Sequence, residues 1–297
     1  MFNLFHYRPQ TSLADMLEHT LVHMRDLALG EYAAFLVFSL GLFGLAVHLR
    51  RKGSFRFRIH NRLAKGEQAR RELFNSSRAI VIYNATQVLM RVGVLAFGYV
   101  VTFDTPVSLP LAIASYPLIM IGHDAYFYFT HRLMHAPAIF RGVHWEHHRS
   151  KHPTVLAAYS FSITESVAQG FYPILYVMLF PCTFPTLIFF YFVAIAHDVM
   201  IHSGIDFMPR FLVTDRRFGW ICGTIYHDIH HAVGRTNYGL YTRVWDRLFK
   251  TEHPDFVAIY DYVHSPQNDG NAYRKLLGRG AIDAAEDAPL PEGAPAS

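Results

Sequence analysis

Eight of the nineteen histidines fall into groups whose spacing suits metal binding, and a ninth closes an apolar block. His131 and His135 are about one helical turn apart, and His144, His147 and His148 form an HxxHH set. His202 stands by itself, and His227, His230 and His231 form a second HxxHH set. Residues three and four apart share one face of a helix, so each set can turn its ring nitrogens toward a common point. One triplet is enough for one metal. The full nine are too many for a single tetrahedral zinc and suit two metals with four or five nitrogens each. Imidazole by itself accepts zinc, copper, iron or nickel. A hydrolytic zinc site normally brings a carboxylate base in an HExxH pattern, which this sequence lacks. The expectation is therefore iron, two ions per chain, engaged in redox chemistry with O2.

Three carboxylates are candidates to orient a ligand imidazole. Asp124 stands two helical turns before His131, Asp198 one turn before His202, and Asp228 inside the last histidine set. His123 and His197 are candidates for an extra ligand. His48, His60, His152, His253 and His264 fit no spacing and stay outside the expected site. Cys182 and Cys222 are far apart and form no CxxC pair, so neither a disulfide framework nor a thiolate metal site is indicated.

These groups need a scaffold, and the composition says which kind. The chain is 52% hydrophobic, 15% aromatic and only 17% charged, with its apolar residues in long blocks. That balance points to one membrane domain and away from an ordinary soluble surface. No cleavable leader is expected in residues 1–30; the apolar positions from Leu13 to Leu27 recur at helical spacing instead and suggest an amphipathic interfacial helix. A first span is expected over Tyr32 to Leu49, ending in Arg50, Arg51 and Lys52. The loop beyond is rich in arginine and places that end in the cytoplasm. Further spans are expected over 79–103 and 107–129, with a turn at Asp104, Thr105 and Pro106. A second hairpin is expected over 155–201, bracketed in the middle by Pro181 and Pro185. Glu165 interrupts its first arm and would be costly in hydrocarbon unless it faced protein, a cavity or a metal site.

The expected fold is all-α: an integral membrane helical bundle with about four to five spans and a cytoplasmic histidine-rich helical cap. Residues 1–30 form the interfacial segment, 31–276 the oxygenase domain with its histidine motifs in 122–251, and 277–297 a disordered tail rich in Ala, Pro, Gly and acidic residues. On this topology all nine grouped histidines meet at the cytoplasmic face. The net charge of +4 comes from basic residues beside apolar blocks, which fits anionic lipid and topology better than nucleic acid.

The strings HRLMH, HWEHH, HSGID and YHDIHH, followed by NYG and WDRLF, resemble the fatty acid hydroxylase/sterol desaturase superfamily from Gly122 to Thr251. The resemblance implies an integral-membrane, non-haem di-iron enzyme with His131, His135, His144, His147, His148, His202, His227, His230 and His231 as ligands. HSGID is most similar to the sterol methyl oxidase and sterol side-chain hydroxylase branch. Two positions depart from the family pattern. Lys250 replaces a usual glycine, and Asp198 stands where the fatty acid 2-hydroxylase branch has a ligand histidine.

The expected function is O2-dependent hydroxylation of an aliphatic C–H in a lipid, whether sterol-like, fatty acyl or headgroup, with desaturation as the alternative on the same site. A histidine-rich metal transporter or sensor is the alternative of another class, and it would place ligands within the spans. No GxGxxG or HPGG motif is present, so electrons are expected from a separate ferredoxin- or cytochrome-type donor. The expected membrane is the bacterial inner membrane, or the endoplasmic reticulum in a eukaryote.

Overall fold

The structure, a computed structural model, describes residues 13–52, 57–60, 66–96, 108–180, 182–215 and 217–270. Its elements are helices joined by short connections. Four are long: α1 (Leu13–Arg51), α2 (Gly66–Ala96), α3 (Leu109–Met134) and, later in the chain, α8 (Phe184–Ile201). Between α3 and α8 come the short helices α4 (Pro137–Val143), α5 (Trp145–His148), α6 (Ile163–Gly170) and α7 (Tyr172–Leu179). After α8 follow α9 (Arg210–Val213), α10 (Thr224–Val233), α11 (Val244–Phe249) and α12 (Phe256–Val263). The all-α expectation holds among the described residues, which contain no strand and only two isolated bridges.

Among the described residues, two helices are long and apolar enough to cross a membrane, Ala28–Leu49 within α1 and the whole of α8. Their outward faces are apolar: Val37 and Leu40 are each 68% exposed, Phe192 57%. A contiguous surface of that kind belongs against lipid or another apolar partner. The expected spans over 79–103 and 107–129 correspond to α2 and α3, which carry more polar residues. The turn expected at 104–106 and the tail at 277–297 lie outside the described residues.

Two boundaries differ from the sequence expectation. The interfacial helix and the first span are one continuous helix, because nothing between Leu13 and Arg51 breaks it; Gly30, Gly41 and Gly44 each cost only about 1 kcal/mol. The first arm of the second hairpin is not a span. Residues 155–157 form a 3-10 turn, and the arm then divides into two eight-residue helices at Gly170–Phe171. Ser162 starts α6 by accepting from the Glu165 N–H at 3.1 Å, and Pro173 occupies the first turn of α7. Gly170 permits a close approach: a Cβ there would stand 3.1 Å from the Tyr83 backbone of α2.

Three apolar clusters fix the frame. Phe35, Ala79, Ile80, Tyr83, Ile195 and Val199 join α1, α2 and α8. Ile119, Tyr172, Tyr176 and Phe190 join α3, α7 and α8. Ile225, Ile229, Phe256, Ile259 and Val263 lock α10 to α12. Each such buried side chain contributes about 1.5–3 kcal/mol, against about 1 kcal/mol for a typical hydrogen bond, so packing dominates the placement of α10.

Candidate metal centre

The four histidine groups leave their helices at one place. His131 lies in the last turn of α3 and His135 caps it; His144 joins α4 to α5, and His147 and His148 lie on α5. His202 caps α8, and His227, His230 and His231 lie on α10. They sort into two clusters: His131, His135, His144, His148 and His230 in one, and His147, His202, His227 and His231 in the other. Within each, Nε2 atoms of neighbouring rings face one another at 3.0–3.5 Å.

The sorting corrects the simplest reading of the HxxHH sets, in which one triplet serves one metal. In both sets the first and last histidines, four apart, share a cluster, and the middle one enters the other cluster. Four residues bring a helix back to within about 40° of its starting direction, whereas three leave it about 60° short on the opposite side. A pair four apart therefore aims together, and the residue three along aims past it.

Groups outside the clusters set the tautomers. His131 Nδ1 donates to the Tyr238 carbonyl at 2.9 Å, His230 Nδ1 to the Thr236 carbonyl at 2.7 Å, and His202 Nδ1 to the Asp198 carbonyl at 2.7 Å. A carbonyl only accepts, so each of these rings carries its proton on Nδ1 and turns a bare Nε2 lone pair into its cluster. His144 Nδ1 pairs with Glu165 Oε1 at 2.6 Å. Burial holds His131 and His202 down to about 4; burial and then the neighbouring His131 hold His135 down to about 2. The other six are held well below the usual imidazole range by burial first and neighbouring imidazoles second. Neutral, buried, converging lone pairs are the donor set of a divalent metal, and carbonyl or carboxylate partners on the far nitrogen are how such ligands are braced.

The loop after α10 does much of this bracing. Asp246, fully buried, accepts from the Tyr238 N–H at 2.9 Å, the Gly239 N–H at 2.7 Å and the Thr251 hydroxyl at 2.6 Å. That shapes the NYG turn, whose Tyr238 carbonyl holds His131 and whose preceding residue, Thr236, holds His230. Gly239 is required there, since a Cβ would stand 2.4 Å from the Thr242 carbonyl. Asp206, the last residue of HSGID, accepts from the Ile225 N–H at 3.0 Å and so holds the start of α10. Lys250 ends α11 with φ 57°, the left-handed conformation that suits the glycine usual in the resembled family.

The carboxylate candidates fare unequally. Asp198 touches His202, chiefly through its carbonyl, with its Oδ1 at 3.5 Å. Asp124 does not reach His131; it accepts from the Tyr241 and Thr242 N–H groups at 2.9 and 3.1 Å and ties their loop to α3. Asp228 pairs with His60 at 2.6 Å instead of a cluster ligand. Its position on α10 turns it off the ligand face. The extra-ligand candidates also lie outside both clusters: His123 Nδ1 meets the Tyr241 hydroxyl at 2.9 Å, and the His197 ring packs on Tyr241 at 4.9 Å. The residue missed as a brace is Glu165, whose only sequence signal was a carboxylate inside an apolar stretch.

A cavity between α2, α3, α6 and α8 has walls that reach both clusters. Tyr83, Gln87, Phe127, Phe161, Phe190 and Asp198 are among its walls. Phe161 also packs on the His147 ring at 5.1 Å, Asp198 holds His202, and Phe127 packs on the His131 ring at 4.9 Å, so three wall residues touch ligands directly.

The family model described as fatty acid hydroxylase matches residues 116–251, which contain all nine histidines. Residues 116–251, just under half of the chain, thus carry a domain of the fatty acid hydroxylase/sterol desaturase superfamily. Among its relatives in that superfamily, a Delta(7)-sterol 5(6)-desaturase of Leptosphaeria maculans is 31% identical over 155 residues, 51% of this chain and 41% of the relative. Cholesterol 25-hydroxylase of Homo sapiens is 33% identical over 129 residues, 43% of this chain and 47% of the relative. The chain thus spans less than half the length of these curated relatives. No solved structure matches it. These relatives are thus named as a sterol desaturase and a cholesterol hydroxylase.

Proposed function

We propose that this chain is a multi-pass membrane hydroxylase that inserts one oxygen atom of O2 into an aliphatic C–H bond of a lipid. The observation that carries the reading is the pair of converging imidazole clusters at the end of an apolar cavity. Two irons, one in each cluster, would supply O2 activation there. The chain's own residues do the rest. Phe127, Phe161 and Phe190 receive an aliphatic segment and exclude water, and the carbonyls of Asp198, Thr236 and Tyr238 keep protons on the far side of the ligand rings. Hydroxylation consumes one O2, two electrons and two protons and releases the alcohol and one water. The electrons come from a separate ferredoxin- or cytochrome-type donor.

The site faces the cytoplasm, in a bacterial inner membrane or an endoplasmic reticulum. Desaturation stands as the second reading because several matched relatives are named as sterol desaturases. It needs the same site and differs only in losing a second hydrogen.

Purified protein carrying about two irons per chain, with an oxygen added to a lipid of expressing cells, is the expected result. A lipid that loses two hydrogens and gains no oxygen selects the desaturase. Stoichiometric zinc with no iron-dependent product overturns both.

A further inference from the structure

Beside the two clusters lies a third group of metal-ligating side chains, His60, His152 and Asp228, whose ligand atoms all lie within 4.8 Å of one another. They come from three separate supports. Asp228 lies on α10 next to His227 and is turned to the other side of the helix, where its Oδ2 is 2.6 Å from His60 Nε2. His152 follows α5, and its ring centroid lies 4.1 Å from that of His60. An imidazole–carboxylate pair alone would be an ordinary hydrogen bond. What it leaves unexplained is a second imidazole, from a third segment, brought to the same point.

The supports are rigid, which is what a ligand set requires. The segment 57–60 is pinned by the Ile59 N–H to the Gly204 carbonyl at 3.0 Å, the Asp206 N–H to the Phe57 carbonyl at 2.8 Å and Asn268 Nδ2 to the Arg58 carbonyl at 2.9 Å. The His152 backbone is held by Gln68 Nε2, which donates to its carbonyl at 2.9 Å. Two imidazoles and one carboxylate suit borderline divalent ions such as zinc or ferrous iron better than calcium or magnesium, whose sites are built of oxygens. Unlike the nearly sealed clusters, this group is accessible: the His60 side chain is 15% exposed and His152 is half-buried, while Asp228 is 2% exposed.

We propose that His60, His152 and Asp228 form a third divalent-metal site of the zinc or ferrous class, exchangeable with solvent, that clasps residues 57–60 and the segment after α5 to α10. It is independent of which reaction the two clusters perform. The test is metal content of the full chain in detergent after loading with zinc chloride and removal of free metal. Wild type should hold three ions, and a mild chelator should remove one before the other two. His60→Ala and His152→Ala should each hold two, and the two retained ions report that the variant has folded. A wild type that saturates at two, or variants that still hold three, overturns the site. A second measurement needs no variant: diethyl pyrocarbonate labelling of His60 and His152, mapped by mass spectrometry. Labelling should be blocked in the three-ion form and should open when the first ion is removed. Equal labelling in both forms overturns the assignment.

Discussion

In the five-histidine cluster, three rings have a far-side partner: the Tyr238 carbonyl for His131, Glu165 for His144 and the Thr236 carbonyl for His230. In the four-histidine cluster only His202 has one, the Asp198 carbonyl; Nδ1 of His147, His227 and His231 is buried with no hydrogen-bond partner among the described residues. The two clusters hold the same ligand type in neighbouring positions and differ in how firmly each ring is oriented. The braced cluster is assembled for rigid retention. The sparsely braced one has one ligand fewer and meets two cavity-wall residues, Phe161 and Asp198, against Phe127 for the other, which suits the metal that meets substrate.

The sharpest break of that contrast is His147→Ala, which removes one of four ligands on the cavity side. Turnover should be lost entirely while the five-histidine cluster keeps its metal, so product assay and metal content should disagree. Full activity in this variant would refute the ligand assignment. Next in size is Glu165→Ala, which strips one brace from the firmer cluster. A lost brace of this kind lowers metal affinity or activity about 10–100-fold, readable by competition with a chelator of known affinity. Once the exchangeable third ion has gone, chelation of the wild type should be two-phased, with the four-histidine cluster emptying before the five-histidine one; a single phase for both would erase the distinction drawn between them. The smallest effect is expected at Lys250, exposed and in the left-handed conformation beside the loop that braces His131 and His230. Lys250→Gly should stabilise the protein by about 1 kcal/mol, seen as a higher unfolding midpoint with unchanged metal content.

Eight of the nine clustered histidines could be recognised because helical spacing constrains where a ring can point, and His202 stood out by its place at the end of an apolar block. Their division could not, since HxxHH tells which residues share a helix face and says nothing about which neighbouring helix meets it. Glu165 stood out as a misplaced charge, yet its partner His144 lies on a different helix and no spacing connects them. Asp124 has the right spacing from His131 and a different task, because the loop at Tyr241 and Thr242 offers two backbone donors nearer to it. The long apolar blocks correctly announced helices, while the break at Gly170 depended on how closely Tyr83 packs, a tertiary fact. His60 and His152 were set aside for lack of spacing, and it is the approach of three separate chain segments that brings them to Asp228.

The crossed arrangement of the HxxHH sets has a consequence for how the centre can change. Because each set lends two rings to one cluster and one to the other, neither metal position belongs to a single stretch of chain. Deleting or transplanting either stretch would injure both positions at once. A one-metal descendant would have to be reached by changing histidines singly, and the intermediate forms would keep a lopsided pair of sites rather than one intact and one absent.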